Sequence, residues 1–146
     1  IKKGDEVLIP NFTIISNALA VIRQQAKPVL IDCDLENWNV KIEDIEKKIT
    51  KKTKAIMVVS IYGLPCDMDP IMEIAKKHAL FVIDDSCQTL LGRYKGRYAG
   101  TIAHLSVFSF ENKKHMTSGS EGGMLLTNNE EFAIKARKFG GIGYNI

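Results

Sequence analysis

Residues 53–85 read TKAIMVVSIYGLPCDMDPIMEIAKKHALFVIDD. Ala55 to Tyr62 is a nearly unbroken apolar run, the signature of a strand buried on both faces. Gly63 and Pro65 break the chain. Asp69-Pro70 then predicts a helix start, with an N-cap and a proline in the first turn. That helix, PIMEIAKKHA, gives way to a second apolar run, Leu80 to Asp85, which stops on two carboxylates. Strand, turn, helix and strand in this order make a βαβ unit, which implies parallel strands.

The same rhythm continues outward. EVLIP (Glu6 to Pro10) reads as a strand, followed by a helical pattern from about Thr13 to Arg23 and a second strand from Pro28 to Asp32. KIEDIEKKI (Lys41 to Ile49) is an amphipathic helix with Ile42, Ile45 and Ile49 on one face. Downstream, YKGRYAG reads as a hairpin-like excursion, LSVFSF (Leu105 to Phe110) and GGMLLTN as strands, and NEEFAIKARKF as a closing helix with acids in its first turn. The expectation is one α/β domain over residues 1–146, with a largely parallel sheet and no internal repeat.

Composition narrows the function. The 20 basic and 17 acidic residues are scattered and give a formal charge of +3. Without a long basic block, neither nucleic acid nor a membrane surface is an expected partner. Three cysteines, Cys33, Cys66 and Cys87, have no metal-type spacing, so no metal site is expected and a reducing compartment is. No apolar stretch suits a membrane span, and the chain reads as cytoplasmic. Its first residue is Ile1, with GDEV close behind, and it reads as an internal stretch of a longer protein.

In parallel sheets, ligands collect at the carboxyl ends of the strands. Asp84-Asp85, Ser109 and the pair Lys113-Lys114 all fall there. A lone aspartate in such a place caps a helix or joins an ion pair more often than it binds a ligand. The sharper reading sets it against a protonated pyridine nitrogen, as pyridoxal phosphate requires for electron withdrawal. That cofactor also needs a lysine, a phosphate donor and a donor for its ring hydroxyl. Lys113 or Lys114, Ser109 and Gln88 can supply them. The glycines of GSEGG match neither a P-loop nor GxGxxG; they let backbone approach a ligand, or only reverse the chain.

Taken in order, these segments resemble the DegT/DnrJ/EryC1/StrS family of pyridoxal-phosphate-dependent sugar aminotransferases, from Gly4 to about Phe139. GDEVLIPNFT, AKPVLIDCD, VIDDSCQ, YKGR-x-x-G and FSF-x-x-x-K with its glycine loop carry the likeness. The resemblance implies the large domain of a fold type I transferase, with a mostly parallel sheet and helices on both faces. An N-terminal segment and a C-terminal small domain would lie outside this chain.

Register within the family's motif makes Lys114 the Schiff-base lysine and proton shuttle, with Lys113 facing solvent. By the same matching Asp85 holds the pyridine nitrogen, Gln88 contacts the ring hydroxyl and Ser109 the phosphate. Thr13 and Ile14 adjoin the cofactor, Ile14 standing where the family stacks an aromatic ring. The resemblance further implies a nucleotide-linked keto sugar as substrate, glutamate as amino donor, a homodimer, and a product used in amino-sugar or surface-polysaccharide synthesis.

Four departures stand against the pattern: Ile14, Ser60 in place of a histidine, His104 and Leu90 in place of an aspartate and a histidine, and a loop one residue longer, GSEGG. They leave room for a non-transaminating relative, either a dehydratase or a regulatory protein that kept the fold. The dehydratases carry histidine where this chain has Lys114.

Overall fold

The computed structural model describes residues 1–141 and 143. In chain order, its elements are β1 (Glu6–Pro10), α1 (Ser16–Arg23), β2 (Lys27–Ile31), α2 (Ile42–Lys47), β3 (Thr53–Val59), α3 (Met68–Lys77) and β4 (Phe81–Asp85). A two-stranded hairpin follows, β5 (Arg93–Tyr94) and β6 (Arg97–Tyr98), then β7 (Leu105–Ser109), β8 (Gly123–Leu126) and α4 (Glu130–Gly140). Six strands form one sheet in the order β2-β1-β3-β4-β7-β8. All pairings are parallel except β7 with β8.

Side chains alternate across each strand, so the apolar runs feed two layers. Val7, Ile9, Ala55 and Met57 face α1 and bury Val21 with Ala26. Leu8, Ile56, Val58 and Val82 face the other way, onto Ile45 of α2 and Met68, Ile71 and Ala75 of α3. Each such aliphatic side chain contributes about 1.5–3 kcal/mol on burial. Helices therefore cover both faces, as the sequence resemblance implied.

The chain leaves β1 through α1 on one face to reach β2, then returns across β1 through α2 on the opposite face to β3. The direction of winding reverses between β1 and β3, and in open parallel sheets ligands bind beyond the carboxyl ends of the strands at such a point.

Most expected boundaries move by a residue or more, and two of the shifts flank the turn before α3. The strand drawn over 55–62 ends at Val59; Ile61–Gly63 form a 3-10 turn in which Tyr62 is left-handed, φ 50°. Helix α3 begins at Met68 with Asp67 at its N-cap, two residues ahead of the predicted Asp69. The hairpin is the reason. Tyr94 donates its hydroxyl hydrogen to Asp67 and accepts from the Asp69 amide, while Lys95 and Arg97 take the Asp69 carboxylate. At α4 the expected cap is present: Asn129 Oδ1 accepts from the Phe132 amide at 3.0 Å.

Candidate active site

The two carboxylates that end β4 point to opposite faces, and their surroundings differ. Asp84 is 1% exposed; it accepts from the Ser86 hydroxyl at 2.9 Å and the Gly100 amide at 3.1 Å, but its Oδ1 has no partner among the described residues. Burial pushes its carboxyl above the ordinary value. Asp85 is 7% exposed, and among the described residues its side chain accepts only from the Cys87 amide, at 3.0 Å on Oδ1. No cation pairs with it among the described residues. In-register pairing with β7 sets Asp85 beside Val107, and alternation puts Ser109 on that same face, away from α3.

Gln88 stands three residues on. Its Oε1 accepts from the Tyr62 amide at 2.8 Å, which fixes the side chain and leaves its amide hydrogens free to donate. Gln88, Lys113 and Lys114 line one cavity of about 350 Å³ together with Tyr62, Cys87 and His115. Lys114 is half-buried and Lys113 exposed. A turn explains the difference: the Lys114 amide donates to the Glu111 carbonyl at 2.9 Å, and the Lys113 amide to the Glu111 carboxylate at 3.1 Å. Ser109 lines a smaller adjoining recess that shares Cys87 and His115 with the first. Its Oγ accepts from the Glu111 amide at 3.3 Å, leaving its own hydrogen to donate.

Thr13 and Ile14 lie on the loop after β1 and line neither recess. Thr13 Oγ1 accepts from Asn17 at 2.9 Å, and Ile14 is exposed. Reading residues alone did not single out Tyr62 or Cys87 as lining residues. Position could have found both, since Tyr62 follows a buried strand directly and Cys87 lies between Asp85 and Gln88. Burial and Asp85 push the Cys87 thiol up to about 12, which keeps it protonated and unreactive. The departures are absorbed as structure. Ser60 Oγ accepts from the Cys66 amide, and His104 Nδ1 from the Val82 amide at 3.0 Å. In the long loop Ser118 donates to the Glu121 carbonyl at 2.9 Å.

A larger groove of about 730 Å³ lies at the amino end of β4, between α3 and His104. It is wide, but the groups expected to do chemistry all gather at the opposite end of the sheet. Among the described residues no helix is long and apolar enough to cross a membrane, and no three metal-type ligands cluster.

The chain is similar to known proteins along nearly its whole length. The DegT/DnrJ/EryC1/StrS aminotransferase family matches residues 1–145. GDP-perosamine synthase of Escherichia coli O157:H7 is 46% identical over 143 residues, covering 98% of this chain and 39% of that protein. A dTDP-3-amino-3,6-dideoxy-alpha-D-galactopyranose transaminase of Aneurinibacillus thermoaerophilus is 42% identical over 130 residues, covering 89% and 36%. NtdA from Bacillus subtilis, solved with the cofactor PMP bound, superposes with a TM-score of 0.92 at 31% identity, covering 99% of this chain and 32% of that one. The chain thus spans about two fifths of the length of the curated relatives it matches.

Proposed function

The chain belongs to the DegT/DnrJ/EryC1/StrS aminotransferase family, and on that premise we propose that its protein moves an amino group onto a keto sugar carried by a nucleoside diphosphate. Pyridoxal phosphate is the cofactor that goes with the family. When bound, it supplies a ring that withdraws electrons from the reacting carbon.

The observation that carries the reading is Asp85. A buried carboxylate with one backbone donor and no cation is costly unless a positive group completes it. A protonated ring nitrogen is such a group, and Gln88 and Lys114 line the neighbouring cavity. The residues present therefore fit the cofactor.

Each side chain has a task that its hydrogen bonds leave open. With the cofactor bound, Asp85 would keep its ring nitrogen protonated through the oxygen that the Cys87 amide leaves open. Gln88, oriented by the Tyr62 amide, would donate its side-chain hydrogens to the ring oxygen, and Ser109 would donate its hydroxyl to the phosphate. Lys114 would be the amine that holds the group, and as a free amine it would serve as the proton carrier. Glutamate is the proposed amino donor, the working form a homodimer, and the product an amino sugar for surface polysaccharide. In this reading the chain is the central part of the large cofactor-binding domain of a longer protein; it spans 39% and 36% of the two relatives.

Lys114→Ala in the full-length protein tests the assignment. Wild type with added pyridoxal phosphate should show a visible absorption band, and borohydride should fix the cofactor to Lys114. The band should vanish in Lys114→Ala and persist in Lys113→Ala. A folded wild-type protein without the band would end the aminotransferase reading.

A further inference from the structure

Three aromatic rings from three separate loops meet at the carboxyl end of the sheet. Phe12 follows β1, Trp38 follows β2 and Tyr62 follows β3. The Phe12 and Trp38 centroids are 5.1 Å apart, and the Phe12 and Tyr62 centroids 6.3 Å. Such rings ordinarily close a core. Here Tyr62 is 78% and Trp38 45% exposed. The rings follow β1, β2 and β3, beside the point where the winding of the sheet reverses, and Tyr62 also lines the cavity that holds Lys114.

The arrangement is built rather than loose. Asn39 is buried; its Oδ1 accepts from the Ile61 amide at 3.0 Å, and its Nδ2 donates to the Leu64 carbonyl at 3.1 Å. That side chain clamps the loop bearing Trp38 to the turn bearing Tyr62. Asn11 donates to Asp32 at 2.8 Å, tying the Phe12 loop to the end of β2. Gln88 anchors the Tyr62 amide from the cofactor side. Trp38 and Tyr62 themselves sit in left-handed backbone, φ 63° and 50°. That conformation is strained for a residue with a side chain, and such strain gathers at ligand clamps.

We propose that Phe12, Trp38 and Tyr62 form the stacking platform for the base of the nucleotide-linked substrate. The proposal rests on the aminotransferase reading for its substrate class and adds where the nucleoside lies. A rigid, exposed π-surface beside a reactive lysine suits a planar ring at one end of a ligand whose other end reacts. Stacking is tolerant of base identity because every base has a π-face. Relatives named for GDP-linked and dTDP-linked sugars, a purine and a pyrimidine, are what such a platform would accommodate.

The test measures binding of free GDP, UDP and dTDP to the full-length, cofactor-loaded protein by calorimetry, alongside its visible spectrum and sedimentation. Trp38→Leu and Tyr62→Leu keep bulk but lose the π-face; each should weaken the favoured nucleoside diphosphate about tenfold or more. Trp38→Phe and Tyr62→Phe should hold affinity within about threefold of wild type. The visible band should be the same in both Trp38 variants. Unchanged affinity in both leucine variants overturns the proposal, as does a loss that only tracks dissociation of a dimer. A loss of nucleotide affinity in a protein whose wild type shows no visible band would leave the platform standing and remove the aminotransferase.

Discussion

Asp84 and Asp85 are neighbours in sequence and opposites in environment. From the residues alone, either could have been the acid of the site; only the resemblance favoured Asp85. The alternation of β4 separates them, and burial under the hairpin gives Asp84 a structural post. Because its folded-state pKa lies above the unfolded value, the folded protein holds a proton there that the unfolded chain has released. Stability therefore falls as pH rises through that window. Asp84→Asn removes the charge, and its amide hydrogens have an unpartnered acceptor close by: Ser106, the in-register neighbour on β7. At pH 7 the variant should be at least as stable as wild type, by on the order of 1 kcal/mol, and its stability should vary less between pH 4 and 7. Urea unfolding at several pH values checks both.

The hairpin of β5 and β6 shows the same logic at the next scale. Its turn residues were legible in YKGRYAG, but its purpose was not. Tyr94, Lys95 and Arg97 fasten it to the start of α3, and the chain then delivers the Gly100 amide to Asp84. Gly100 has φ 82°, and a Cβ there would come within 2.5 Å of the Phe108 ring. Gly100→Ala should thus cost more than about 2 kcal/mol through strain and overlap together. A shift in the urea midpoint without a change in slope would confirm it. A loss under 0.5 kcal/mol, on the order expected of a surface change, would contradict it.

Across the whole molecule, the sheet ends at β8, whose outer edge pairs with nothing among the described residues. Met124 and Leu125 on that strand are exposed, as are Ile134 and Phe139 on α4. An apolar edge of this kind invites strand addition. The 146-residue chain expressed alone should therefore self-associate as its concentration rises, and Met124→Lys with Leu125→Lys should suppress it. Sedimentation velocity decides the matter; a monomer at every concentration would show that the edge is inert.

The sequence by itself determined the class of fold, the order of its elements and the end of the sheet where chemistry gathers. Those follow from local periodicity and turn chemistry, which neighbouring residues carry between them. Tertiary structure decided what depends on residues far apart in the chain. It sent Asp84 beneath Gly100, moved the cap of α3 to Asp67 and fixed Gln88 on the Tyr62 amide. It also gathered three aromatic rings, two of them exposed, at the carboxyl end of the sheet. None of these has a sequence period, because each is a contact made only once distant strands have paired.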